Sequence, residues 1–231
     1  MTRAPLLRIT VGPARVWCSN AAHGNVGDHV GDDPAAVAAH REAIAAAAGL
    51  PDIGHWVWLR QVHGARIVAA DAPMPPPEAD GALTVRRGLP IAIVTADCAP
   101  VVVACDDAVA VVHAGHRGLA AGIIEHAVAD VRAAGGGEVR AFLGPCIRAA
   151  RYEFGADDLA PLVARFGDEV AGRTDTGAVA LDIPAGVRIA LERSGVTDFE
   201  DCGVCTSEAP GYFSHRRDGA TGRQATIAVL P

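Results

Sequence analysis

A chain of 231 residues, half of them apolar, can bury one sizeable core and is short for two independent ones, so a single domain over 1–231 is expected. Its 20 Lys and Arg against 27 Asp and Glu give a formal net charge of -7, which argues against the general basic footprint of a nucleic-acid binder. The opening MTRAPLLRITVGPARVW lacks the long apolar run of a secretory signal, and no apolar stretch reaches bilayer length, so the expectation is a cytoplasmic protein with no membrane or nucleic-acid partner.

In chain order, an Asp-Asp pair followed by Pro34 and a stop at Gly49 delimit a helix over 34–48. ARIVAA reads as a strand, and MPPPEAD at 74–80 as a surface loop inside the domain rather than a linker. IAIVTA at 91–96, VVVAC at 101–105 and AVAVVHA at 108–114 are short, β-branched and interrupted by Pro100 and Asp106-Asp107. They read as neighbouring buried strands with a hairpin at the acidic pair. LAAGIIEHAVADVRAAGGG places apolar residues at 119, 123, 124, 127, 128 and 131, a helical spacing that stops at a glycine triplet. EVRAFLGP reads as a strand, 155–167 and 183–195 as helices, and ATIAVL at 225–230 as a last strand, so the class is mixed α/β.

Potential ligands stand at strand ends: His63 in QVHGARIV, Cys98 in VTADCAP and His113 in VVHAGHRG. Each follows an apolar run and precedes a glycine or proline corner, where a rigid sheet can present side chains to a cleft. Two imidazoles and a thiolate suit Zn²⁺, and three ligands leave a fourth position for water or substrate. The competing reading makes Cys98 a nucleophile activated by His113 or His63 without a metal. Arg117 lies between glycines before a helix, where amide donors and a guanidinium can hold an anion. SHRRDGATGR adds Arg216, Arg217 and Arg223. Six scattered cysteines read as reduced thiols. Cys202 and Cys205 in CGVC lack a redox or zinc partner motif, Cys146 has no histidine neighbour in sequence, and Cys18 and Cys105 read as core.

The set of motifs says more than any member. QVHG, ADG, TADCAPV, VVHAGHRG, LGPCI with YEFG behind it, LDIPAGVRIAL and CTSEAPGYFSHRRDGATGR resemble, in order and spacing, the peptidoglycan-editing-factor or purine nucleoside phosphorylase family with a "laccase domain". The resemblance runs from about Asn25 to the C-terminus. It implies one α+β domain of mixed sheets in an α-β-β-α layered sandwich, related to a class of cysteine hydrolases. It also implies zinc held at the positions of His63, Cys98 and His113, the three that strand ends select independently. The implied activity is phosphorolysis of adenosine, guanosine, inosine and methylthioadenosine, with adenosine deamination as a second reaction; purine nucleoside and phosphate are the partners. Arg117 with Arg216 is then expected to bind substrate or phosphate, Asn25 to help hold the nucleoside, and Asp97 to orient ligands or move a proton. The chain departs from the pattern in three places. His116 stands where HAGWRG has tryptophan, as a donor behind the ligands, a purine-stacking ring or a fourth ligand. SNAAHGNVGDHVGDD lacks the arginine and paired glycines that usually precede it, and Val187 replaces a frequent polar residue.

The alternative use of the same His/Cys/His site is hydrolytic editing of a peptidoglycan precursor. A multicopper oxidase needs about ten or more copper ligands, usually in His-x-His pairs; nine histidines with no such pair argue against it. A non-catalytic binding protein is the remaining class.

Overall fold

The computed structural model describes residues 5–231, and its strands fall into two main sheets. The elements run β1 (Leu7–Val11), β2 (Ala14–Cys18), α1 (Pro34–Ala48), β3 (Ile67–Ala69), β4 (Gly81–Thr84), β5 (Ile91–Thr95), β6 (Ala99–Ala104) and β7 (Val109–Ala114). They continue with α2 (His116–Ala120), α3 (Ile123–Ala134), β8 (Arg140–Leu143), α4 (Ala156–Phe166), β9 (Ala171–Arg173), β10 (Val179–Leu181), α5 (Ile183–Arg193), β11 (Asp198–Asp201), α6 (His215–Asp218) and β12 (Gln224–Val229). One sheet has the order β1-β2-β12-β5 and the other β11-β8-β6-β7-β4-β3; β9 and β10 pair apart from both.

The two-residue period of a strand turns these sheets into layers. On β6, Val101 and Val103 pack with Leu119, Ile124 and Val128 of the helices, while Val102 and Ala104 face the other sheet. On β12, Ala225, Ile227 and Val229 pack with Ile44 and Ala45 of α1, while Ala228 turns inward to Val16, Ile91 and Ile93. The order is therefore α1, four-stranded sheet, six-stranded sheet, then α3, α4 and α5: the expected α-β-β-α sandwich, with the six-stranded sheet mixed and the four-stranded sheet antiparallel throughout. Phe142 of β8, fully buried between the sheets, shows how tightly they close; truncating such a side chain to alanine costs about 3–5 kcal/mol.

Caps explain the helix ends. Asp33 accepts from the Ala35 N–H and Gly49 closes α1 in the left-handed region, as the Asp-Pro and Gly signals indicate. The hairpin at Asp106-Asp107 is present, with Ala104 opposite Val109. Three local readings change. The helix expected across 119–134 is broken: Gly122, at φ 86, separates the single turn of α2 from α3. IAIVTA and VVVAC are not neighbours in one sheet, because β5 belongs to the four-stranded sheet and β6 to the other. Pro100 lies inside β6 rather than before it, opposite His113. Among the described residues no helix is long and apolar enough to cross a membrane.

Candidate metal centre

The chain crosses from one sheet to the other through Ala96-Asp97-Cys98, so Cys98 sits where the two layers meet. His113 comes from the end of β7, facing the same side as Val109 and Val111. His63 comes from the loop before β3. Of the described non-glycine residues, only His63, at φ 60, and Asp97, at φ 98, have positive φ. Such backbone costs on the order of 1–3 kcal/mol each and persists only where surrounding bonds enforce it.

Those bonds are present. Asp97 accepts from the Thr206 hydroxyl at 2.7 Å and from the Arg216 N–H at 2.6 Å, while its own carbonyl accepts from Ile147. The His63 loop is held by Asp80, a fully buried carboxylate that accepts from the backbone N–H groups of Val62 (3.2 Å), His63 (2.8 Å) and Gly64 (2.6 Å). The same carboxylate lies 2.9 Å from Nδ1 of His113. Nδ1 therefore carries a hydrogen, and Nε2 of the neutral ring is left as the donor atom for a metal. Gln61 pins the other end of the loop, its amide donating to the Val94 carbonyl and accepting from the Val94 N–H, both at 2.8 Å. Two glycines make the close approach possible. A Cβ on Gly118 would lie 2.7 Å from the Gly64 carbonyl, and one on Gly115 would lie 3.1 Å from Sγ of Cys98 and 3.2 Å from Cδ2 of His63.

The result is a group of three donors, His63, Cys98 and His113, whose ligand atoms lie within 4.8 Å of one another. The two imidazoles meet edge to face at 4.8 Å between centroids. Burial pushes the Cys98 thiol up, but the charge and hydrogen bonds of His113, and then those of His63, outweigh it and bring the pKa to about 6. Burial opposes the charge on His113 too; Cys98 and Asp80 overcome it and raise the pKa to about 9. Asp80 itself is pushed up by burial, yet the bonds from His113 and Gly64 hold it below the usual carboxylate range. Without a metal the pair is thus a thiolate beside an imidazolium at neutral pH. One thiolate and two imidazoles, with a carboxylate orienting one ring, form a donor set that can hold a metal ion, and three ligands leave a position open.

The three donors line a cleft of about 360 Å³. Asp97, His116 and Arg216, all singled out in the sequence, line it; so do Gln61, Tyr152 and Arg223. His116 packs edge to face on Phe154 at 5.2 Å and lies outside the group of metal donors. Arg117 is not brought into the cleft lining. It is exposed on α2, whose single turn also removes the long helix behind the anion-binding expectation. Asn25 is buried and occupied: its amide donates to the Gly27 carbonyl and to Asp32 and accepts from the N–H groups of Gly27 and Arg223. It ties the 25–33 loop to the turn that carries Arg223. Cys202 and Cys205 are free thiols outside the donor group, as are the buried Cys18, Cys105 and Cys146. Sequence reasoning passed over Asp80, whose signal was the ADG motif, and Tyr152, whose signal was the aromatic pair in YEFG.

Residues 16–231 match the sequence model of the family described as multi-copper polyphenol oxidoreductase laccase. The chain belongs to that family. Among its relatives in this laccase-like family, a purine nucleoside phosphorylase of Streptomyces coelicolor is 41% identical over 213 residues, covering 89% of this chain and 87% of that protein. A purine nucleoside phosphorylase of Mycobacterium tuberculosis is 41% identical over 220 residues, covering 89% and 84%. The solved structure of YlmD from Geobacillus stearothermophilus superposes with a TM-score of 0.89 at 28% identity, over 100% of this chain and 97% of that one. Neisseria meningitidis protein NMB0706 gives 0.85 at 30% identity, over 98% and 99%.

Proposed function

We propose that the chain is a cytoplasmic, zinc-dependent purine nucleoside phosphorylase acting on adenosine, guanosine, inosine and methylthioadenosine, with adenosine deamination as a second reaction. The observation that carries this reading is the His63, Cys98 and His113 donor group at one side of a cleft that Arg216 and Arg223 also line. The names of the Streptomyces and Mycobacterium relatives support it. Zinc bound there would supply a Lewis acid and an activated water, the nucleophile that deamination requires.

Every other part belongs to the chain. Arg216 and Arg223 offer guanidinium donors to phosphate. A phosphate oxygen then bonds to C1′ of the ribose as the C1′–N9 bond breaks, and its electron pair leaves on the purine. Tyr152 supplies a ring surface for the base, Asp80 keeps His113 in the correct tautomer, and Asp97 fixes the backbone turn that presents Cys98 and, through its Arg216 N–H bond, the arginine arm. Arg117 and Asn25 act on substrate only indirectly in this scheme, Asn25 through the Arg223 turn. Metal-loaded protein incubated with adenosine and phosphate should yield adenine and ribose 1-phosphate, with inosine appearing when phosphate is omitted. Cys98→Ala should abolish both products; activity persisting in that variant refutes the assignment.

A second reading has one observation in its favour. Cys98, His113 and Asp80 stand in the order nucleophile, base and orienting carboxylate, the arrangement of a thiol hydrolase. Editing of a peptidoglycan precursor by amide hydrolysis would use it. Cell-wall composition in a deletion strain separates the two, since a nucleoside enzyme leaves it unchanged.

A further inference from the structure

His116 is, among the described cleft residues, an imidazole whose side-chain hydrogen-bonding capacity the protein leaves unused. It opens α2, half-buried, and lines the cleft. Its ring is set edge to face on Phe154 at 5.2 Å, Phe154 on Tyr152 at 5.3 Å, and the Arg216 guanidinium covers Tyr152 at 4.7 Å. One continuous row of rings thus joins His116 to the arginine arm. The ring contact fixes the plane of the imidazole, yet among the described residues neither ring nitrogen makes a side-chain hydrogen bond. Burial, then the positive charge of Arg117, hold its pKa below the ordinary histidine value. The ring is therefore neutral at pH 7, with one N–H donor and one acceptor.

We propose that His116 reads the edge of the purine base, its imidazole N–H donating to N7 of the bound nucleoside. The inference rests on the nucleoside reading above. If phosphate sits at the Arg216 end, the ribose C1′ faces that end and the base extends along Tyr152 toward His116. N7 is an acceptor in adenosine, inosine, guanosine and methylthioadenosine alike, so a donor aimed there accepts all four and ignores the group at C6. It also draws electron density from the purine as the C1′–N9 bond breaks, which strengthens the contact in the transition state.

The test compares wild-type, zinc-loaded protein with His116→Phe, which keeps a ring against Phe154 and has no nitrogen. Dissociation constants for inosine and 7-deazainosine, whose N7 is a C–H, are measured calorimetrically without phosphate. Wild type should bind inosine about tenfold more tightly than the 7-deaza analogue, the scale of one hydrogen bond. His116→Phe should bind both equally, with inosine weakened about tenfold and thermal unfolding unchanged. A ratio that survives in His116→Phe, or a wild type that does not distinguish the analogues, overturns the proposal. The wild-type ratio alone decides against it if the variant fails to fold. A wild type that binds neither compound overturns the nucleoside reading, and this inference with it.

Discussion

Replacing Asp80 by asparagine tests whether one buried carboxylate organises the whole centre. Four donors converge on it: one oxygen takes the His63 N–H and Nδ1 of His113, and the other takes the N–H groups of Val62 and Gly64. An amide has one oxygen and one NH₂. Whichever way it is turned, two of the four donors face another donor and lose their partner. A buried donor left unsatisfied costs about 1–3 kcal/mol, so the expected loss is about 2–6 kcal/mol. In a domain of this size that lowers Tm by about 5–20 °C. The same change frees the His113 tautomer and the His63 loop, and loss of a carboxylate behind a metal-bound histidine weakens binding about 10–100-fold. Calorimetric unfolding of the metal-free protein reads the first effect, and zinc competition against a chromophoric chelator reads the second. A metal-free Tm that does not move, together with an unchanged zinc affinity, refutes the claim that Asp80 holds both histidines.

Two further outcomes follow from the same geometry. Gly115→Ala puts a Cβ against Cys98 and His63 at 3.1 and 3.2 Å; zinc affinity should fall about tenfold while circular dichroism stays unchanged, and an unaltered affinity shows that the donors do not need that close approach. Zinc binding should also release protons in a pH-dependent way, because the metal needs a thiolate and neutral rings. With Cys98 at about 6 and His113 at about 9 in the metal-free protein, the pair holds one proton, on His113, between those values. Calorimetry in buffers of different ionisation enthalpy should therefore find about one proton released from this pair near pH 7.5, falling toward none above 9 and rising as pH drops below 6. A release that does not change across that range contradicts the thiolate–imidazolium pair.

The strands were legible in the sequence because segments such as VVVA and AVAVVHA are short, β-branched and bounded by turn residues; their arrangement in layers came from the family resemblance. Cys98 and His113 were legible because each closes or follows such a strand; His63, expected at a strand end, lies instead in the loop before β3, and its signal was the QVHG motif. Less could be read where contacts are long-range. Nothing local says that β5 and β6 part into different sheets, since that depends on β12 pairing with β5 in one sheet and β8 with β6 in the other. Asp80 is separated from His113 by 33 residues, and its role exists only once β4 and β7 pair, with Gly81 opposite Val112. Arg117 shows the opposite case: a glycine-flanked arginine before a helical pattern is a sound local signal for an anion, yet the structure leaves it exposed and outside the cleft lining. The break at Gly122 leaves one turn of helix, and the cleft takes its arginines from the far C-terminal motif instead.

The family's description speaks of several coppers, and the fate of this chain's nine histidines gives a prediction about that chemistry. Among the described residues only His63 and His113 enter a group of three metal donors. Others are engaged locally: His40 through Nδ1 with the Asn25 carbonyl, His126 with Ala65, His215 with Gly219, and His55 with Asp52. Pooling several coppers to carry dioxygen to water takes about ten or more ligands close together. Two histidines and a cysteine can hold one ion. Titration with copper should thus saturate the centre at a single ion per chain, displaced competitively by zinc, and the copper-loaded protein should not turn over phenols under air. A second tightly held copper accompanied by phenol oxidation would show that donors outside this group assemble with it.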